Sequence, residues 1–121
     1  MFMNQERKKQ LLEEYKTMPT YYGIIQIKNE KNGKIFIEAV PNIKNRWHFY
    51  KLNLDNNFYR NSLLQADWFT YKEESFSYEV LWKKKTDDVD NMKEELKKRK
   101  KEWLLKLEPY GEKGYNKPMR E

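Results

Sequence analysis

Cysteine is absent from the 121 residues, which excludes a disulfide framework, a thiolate metal site and a cysteine nucleophile together. The absence fits a reducing compartment, and a cytoplasmic location is the expectation. Long apolar runs are missing as well. No stretch approaches the roughly 20 residues of a membrane-spanning helix, so no membrane partner is expected. The first residues, Met1 to Lys9, turn charged at once and do not read as a signal peptide. The single histidine, His48, reads as a structural or surface residue.

Aromatic residues, by contrast, make up 16% of the chain, too many for a disordered one, so much of the core must be Phe, Tyr and Trp. The length suits one domain with one modest core, spanning residues 1–121. Lysine and arginine number 25 against 19 acids, a net charge of +6. That balance points to a polyanion partner, nucleic acid first, or else to a lysine-rich, well-solvated surface.

The chain divides into an N-terminal helix over about 4–18, a core over about 21–82, and a basic helix with a tail over about 87–121. The first helix carries Leu11, Leu12, Tyr15 and Met18 at helical spacing and ends at Pro19. Its Arg7, Lys8, Lys9 and Lys16 allow a phosphate-facing arm, but an amphipathic packing helix is the expectation. Two β-prone runs, Tyr22–Lys28 and Ile35–Ala39, flank Asn32-Gly33 and read as a hairpin. Both faces of it are largely apolar, so helices should cover both. Gly23 reads as a point of close backbone approach. Pro41 stops the hairpin, and Asn42 is the expected N-cap of a helix over about Ile43–Leu54 that buries Ile43, Trp47, Tyr50 and Leu54.

Asn61-Ser62 opens a further helix with Leu63, Leu64, Trp68 and Tyr71 inward. The alternation from Phe76 to Trp82 then predicts a third strand. Asp87 or Asp88 is the expected cap of the last helix, which runs to about Leu107 and packs through Leu96, Trp103 and Leu107. That helix carries Lys97-Lys98-Arg99-Lys100-Lys101, read either as a solvated face balanced by Glu94–Lys98 and Glu95–Arg99 pairs or as a phosphate-binding ridge. The ridge is preferred, with Lys98 and Lys101 on one outer face. The fold class expected is α+β, a small three-stranded antiparallel sheet flanked by helices.

Gly23-Ile24-Ile25, Phe36-Ile37-Glu38, Asn42 to Arg46, Asn61, Leu64-Gln65, Trp68, Tyr71, Trp103-Leu104, Pro109-Tyr110-Gly111 and Gly114-Tyr115-Asn116 occur in an order that resembles the GIY-YIG nuclease superfamily, in particular its small bacterial members. The resemblance spans about Tyr22 to Asn116. It implies single-metal hydrolysis of a phosphodiester, with two tyrosines and an arginine at the reacting phosphate and a glutamate on the late helix holding a divalent cation.

Matched residue by residue, Arg46 stands at the family arginine. Tyr50 stands where relatives carry His or Tyr, and Asn116 matches the asparagine near the C-terminal end. The two tyrosine positions hold Ile25 and Phe36, and the metal position falls on Lys100. Neither Ile nor Phe can transfer a proton, and a lysine repels a metal ion.

The leading expectation is therefore a catalytically impaired module that binds nucleic acid, DNA ahead of RNA, through Lys44, Arg46, Lys51, Lys98 and Lys101, with no metal ligand and no cofactor. A second reading is an active endonuclease using Mg²⁺ or Mn²⁺, in which Tyr21 or Tyr22 supplies the lost hydroxyl and Glu38 or Glu95 a metal oxygen. A third is a protein-interaction or inhibitory module anchored by Phe58, Tyr59 and Phe69.

Overall fold

The computed structural model describes residues 19–60 and 62–118; the helix expected over about 4–18, and Asn61, lie outside the described residues. Three strands form one sheet: β1 (Tyr21–Asn29), β2 (Ile35–Val40) and β3 (Phe76–Lys85), in the order β2-β1-β3 with both pairings antiparallel. The hairpin forms where the sequence placed it. Asn29 N–H donates to the Lys34 carbonyl, and Asn32 Oδ1 accepts from Lys34 N–H. β3 runs three residues past the expected Trp82, because its pairing with β1 continues to Tyr21 opposite Lys85.

Among the described residues three helices pack on this sheet: α1 (Arg46–Asp55), α2 (Leu63–Tyr71) and α3 (Met92–Leu107). Alternation sends Ile25, Ile27, Phe36 and Val40 to one face, where they meet Tyr50, Leu54, Leu64 and Trp68 of α1 and α2. Ile24, Ile37 and Ala39 point to the other face and meet Leu96, Trp103, Leu104 and Leu107 of α3. Of the expected core residues, Leu64 and Trp68 are buried, while Trp47 and Trp103 are half-buried against the two layers. Both faces are covered, as two apolar faces require.

Close approach explains Gly23: a Cβ there would stand 2.1 Å from the Trp82 carbonyl oxygen, beside the irregularity in register at Ile24/Ile25.

Two helix starts differ from expectation. Asn42 does not cap α1. Its Oδ1 accepts from Lys44 N–H in a local Asx turn, and Ile43 N–H donates to the Tyr21 carbonyl. The helix therefore begins later, after Asn45 at φ 58°, a left-handed conformation that asparagine tolerates. Likewise Asp87 and Asp88 are spent in a 3₁₀ turn, and Asn91 caps α3 by accepting from Glu94 N–H. Ser62 caps α2 as its position predicts, accepting from Gln65 N–H. Among the described residues no helix is long and apolar enough to cross a membrane.

The C-terminal tail closes the exposed edge of β2. Tyr115 N–H donates to the Ile35 carbonyl, and Asn116 binds Ile37 twice, accepting from its N–H and donating to its carbonyl at 2.8 Å each. Gly114 lets this segment run against Pro109, whose carbonyl oxygen would lie 2.3 Å from an added Cβ.

Candidate nucleic-acid interface

Arg46 opens α1, and Tyr50 follows one turn later on the same face. The face looks onto β2 at Glu38, which alternation places on the α1 side of the sheet. Tyr50 is buried and donates its hydroxyl to Glu38 Oε2 at 2.6 Å. Tyr59 stacks on Tyr50 at 6.4 Å between centroids, and the Phe36 ring meets Tyr50 edge-on at 6.5 Å. The Arg46 guanidinium lies 4.8 Å from the Phe49 ring, and its buried Nε has no hydrogen-bond partner. Tyr78, held by stacking on Trp47 at 5.5 Å, also buries a hydroxyl without a partner.

These hydroxyls are held neutral. Burial, then the Glu38 charge and the hydrogen bond to it, push the Tyr50 hydroxyl far above its ordinary value near 10. Burial and the Glu38 charge raise Tyr59, with Arg46 pulling the other way. Burial raises Tyr78, again opposed by Arg46. Tyr50 is thus a hydrogen-bond donor to Glu38 and not a base at neutral pH.

A tyrosine raised in the folded state keeps its proton while the unfolded chain loses one, so its contribution to stability is intact below about pH 10 and falls as pH rises beyond it. Tyr115, raised to about 12 by burial and its bond to Asp67, acts in the same window. The urea midpoint should hold from about pH 8 to pH 10 and drop steeply above that, and tyrosinate absorbance should rise as the chain unfolds. A flat profile through that range would contradict the buried hydroxyls.

The remaining expected residues scatter in a definite way. Ile25 is fully buried in the core, and Phe36 is half-buried beside Tyr50. Exposed Lys44 lines a cavity with Tyr21, Ile43, Val80 and Lys83. Half-buried Lys51 places its ammonium 5.5 Å over the Trp47 ring, and His48 is exposed on α1.

Lys98 and Lys101 do not share a surface. Lys98 lines a cavity with Asp88, Asp90, Glu94 and Glu95, whereas Lys101 lines another with Lys97, Lys100, Asn116 and Lys117. The Glu95–Arg99 pair forms at 3.0 Å, and Arg99 also meets Glu102 at 3.2 Å. Of the rearranged-site residues, Glu38 is on the α1 face and Tyr21 lines the cavity beside Ile43 and Lys44, while Tyr22 is buried on the α3 face against Trp82, where the charges of Glu95 and Arg99 reach it.

Mg²⁺ keeps several of its waters and is held through as few as one or two carboxylates, so the question is whether a carboxylate stands free at the site. Among the described residues no three acidic, histidine or cysteine side chains cluster, so any such site would rest on one or two carboxylates. Glu38 is engaged by Tyr50, and lysines surround position 100. With an ammonium at position 100 and Glu38 engaged, these residues do not fit the metal ion that the sequence resemblance implies. Sequence reasoning missed the convergence of Lys97 and Lys117 on Lys100. The adjacency of Lys117 to Asn116 was the available signal.

The fold these elements build is that of the GIY-YIG nucleases, a three-stranded antiparallel sheet with α3 on one face and α1 and α2 on the other. Two solved structures carry the likeness, both of the catalytic domain of I-TevI. A point mutant of that domain, described as an intron endonuclease, superposes with a TM-score of 0.64 at 24% identity over 82% of this chain and 93% of its own. The same domain, described as a homing endonuclease, gives 0.62 at 23% identity over 78% and 96%. No family model and no curated protein matches the chain.

Proposed function

We propose that this chain binds nucleic acid on the face around Arg46 and is impaired in hydrolysing it. One observation carries the reading: the guanidinium at the head of α1 has a buried, unpartnered Nε and stands among neutral hydroxyls. An unsatisfied buried donor costs about 1–3 kcal/mol, and a phosphate oxygen would remove that cost. The solved neighbours are endonuclease domains, which makes a nucleic acid the natural source of that phosphate. Lys44 and Lys51 extend the positive surface around Arg46 for backbone contacts, whereas Lys101 lies on α3 and Lys98, set among four acids, falls outside it. No cofactor is part of the reading, because the residues present do not suit a metal ion.

The test is a fluorescence-anisotropy titration with DNA and with RNA, in EDTA, between about 50 and 200 mM salt. Binding should need no metal and should weaken steeply as salt rises. Arg46→Ala should weaken it about tenfold or more, the worth of a charge-assisted hydrogen bond. No binding at low salt, or binding indifferent to Arg46→Ala, would overturn the reading. The result would then favour protein docking, for which Phe58 is 69% exposed and Leu63 and Phe69 are nearly half exposed.

A further inference from the structure

A second basic feature lies beside β2, between the middle of α3 and the C-terminal tail. It is a cavity of about 330 Å³ lined by Lys97, Lys100, Lys101, Leu104, Asn116 and Lys117. Four of the six residues are lysines and none is acidic. None of the four ammonium groups enters an ion pair among the described residues. Lys97, Lys100 and Lys101 share one face of α3 at three- and four-residue spacing. Lys117 comes from the tail, which is fixed here by the double hydrogen bond of Asn116 to Ile37 and by Asn116 N–H to the Pro109 carbonyl.

Bringing like charges together costs free energy that a bound anion removes. Three of the four lysines would serve solubility as well if spread over other faces; the tail brings the fourth to them instead. Asn116 adds a neutral donor: one hydrogen of its Nδ2 goes to the Ile37 carbonyl, leaving the other for a ligand oxygen. At position 100, where the nuclease resemblance implies a carboxylate for a metal ion, the chain carries a fixed positive charge.

We propose that this cavity binds a phosphate group, and a terminal phosphomonoester in preference to an internal diester. A diester carries one negative charge, while a phosphomonoester carries about −1.5 to −2 at neutral pH and so offsets more of the clustered ammonium charge. The lysines thereby do without a metal ion what a metal ion does for a phosphate, which is to neutralise it. The proposal rests on the nucleic-acid reading and adds to it recognition of a strand end.

The experiment uses three internally labelled oligonucleotides of one sequence, ending in a 5′-phosphate, a 3′-phosphate or hydroxyls only, titrated in EDTA. One phosphorylated strand should bind about tenfold tighter than the hydroxyl-ended strand. The variant Lys97→Gln/Lys100→Gln/Lys117→Gln should lose that margin while still binding the hydroxyl-ended strand through Arg46. Lowering the pH from about 7.5 to about 5.5 should shrink the margin, because the phosphate takes up a proton near pH 6 while the lysines stay charged. Equal affinity for all three strands overturns the proposal. If no strand binds, the nucleic-acid reading has failed, and pyrophosphate decides the cavity alone. A shift of the Asn116 side-chain amide signals on titration, lost in the triple variant, supports the cavity as a phosphate site, and no shift overturns it.

Discussion

Purified protein incubated with DNA or RNA and Mg²⁺ or Mn²⁺ is expected to release no product in multiple turnovers. The expected deficit has separate causes that compound. Ile25 offers no proton-transferring group and is sealed in the core between β1 and the α1–α2 layer. Phe36 keeps a ring against Tyr50 but has no hydroxyl. Lys100 stands among three other lysines, so that region repels a divalent cation instead of holding it. The hydroxyl of Tyr50, one helical turn after Arg46, is held protonated by burial and by Glu38, the wrong direction for a general base.

A general acid–base group is worth on the order of 10²–10⁴ in rate, so even one such loss should lower turnover by a measurable margin. Tyr22 does not repair the deficit, because its hydroxyl is buried on the opposite face of the sheet from Arg46. The measurement is a nicking assay on supercoiled DNA and labelled RNA with the parent and Arg46→Ala side by side. Turnover by the parent that vanishes in Arg46→Ala would show a working site and overturn the impaired-module reading.

The parts of this molecule legible in its sequence are those set by local periodicity. Alternation from Phe76 onward gave β3, and the spacing of Leu64 and Trp68 gave the buried stripe of α2. The two-sided apolar pattern of the hairpin correctly required helices on both faces. The missed features depend on partners distant in sequence or on competition between short polar side chains. Asn42 and Asn45 are both good cap residues, and what assigned Asn42 to a turn was the Ile43 hydrogen bond to Tyr21.

Lys98 and Lys101 share a helical row, but the loop before α3 brings acids to one while the tail brings Lys117 to the other. The Glu38–Tyr50 bond joins a strand to a helix across a turn whose path no residue pattern fixes. Tyr59, read as an exposed anchor, is instead stacked on Tyr50, because the turn after α1 folds it back. The resemblance singled out Arg46 and Asn116 but not what surrounds them. The electrostatic character around them emerges only from three elements meeting at β2.

Trp68→Ala is expected to cost roughly 3–5 kcal/mol of stability, the range for removing a fully buried tryptophan. Trp68 is 2% exposed and joins three elements. Its ring lies 5.0 Å from Phe76 at the start of β3 and edge-on to Trp47 of α1 at 6.1 Å. Its indole Nε1 donates to Asp55 Oδ1 at 2.8 Å, which ties α2 to the last residue of α1. Removing the ring therefore opens a cavity and frees both ends of α1 together, since Trp47 stands near its start and Asp55 at its finish.

Small domains are stable by only about 5–15 kcal/mol, so this one change removes a large share of the total. Trp68→Phe separates the two contributions. It keeps most of the buried ring and loses the hydrogen bond, for which a smaller loss of about 1–2 kcal/mol is expected. The functional consequence runs through Trp47, whose stacking holds Tyr78, the neutral hydroxyl that Arg46 faces. At temperatures where Trp68→Ala is still folded, its affinity for nucleic acid should fall although Trp68 touches no ligand, and Trp68→Phe should bind like the parent. Urea titrations give the first quantity and anisotropy at low temperature the second. A loss below about 1 kcal/mol for Trp68→Ala would mean that α2 is not the clamp on α1 that its contacts describe.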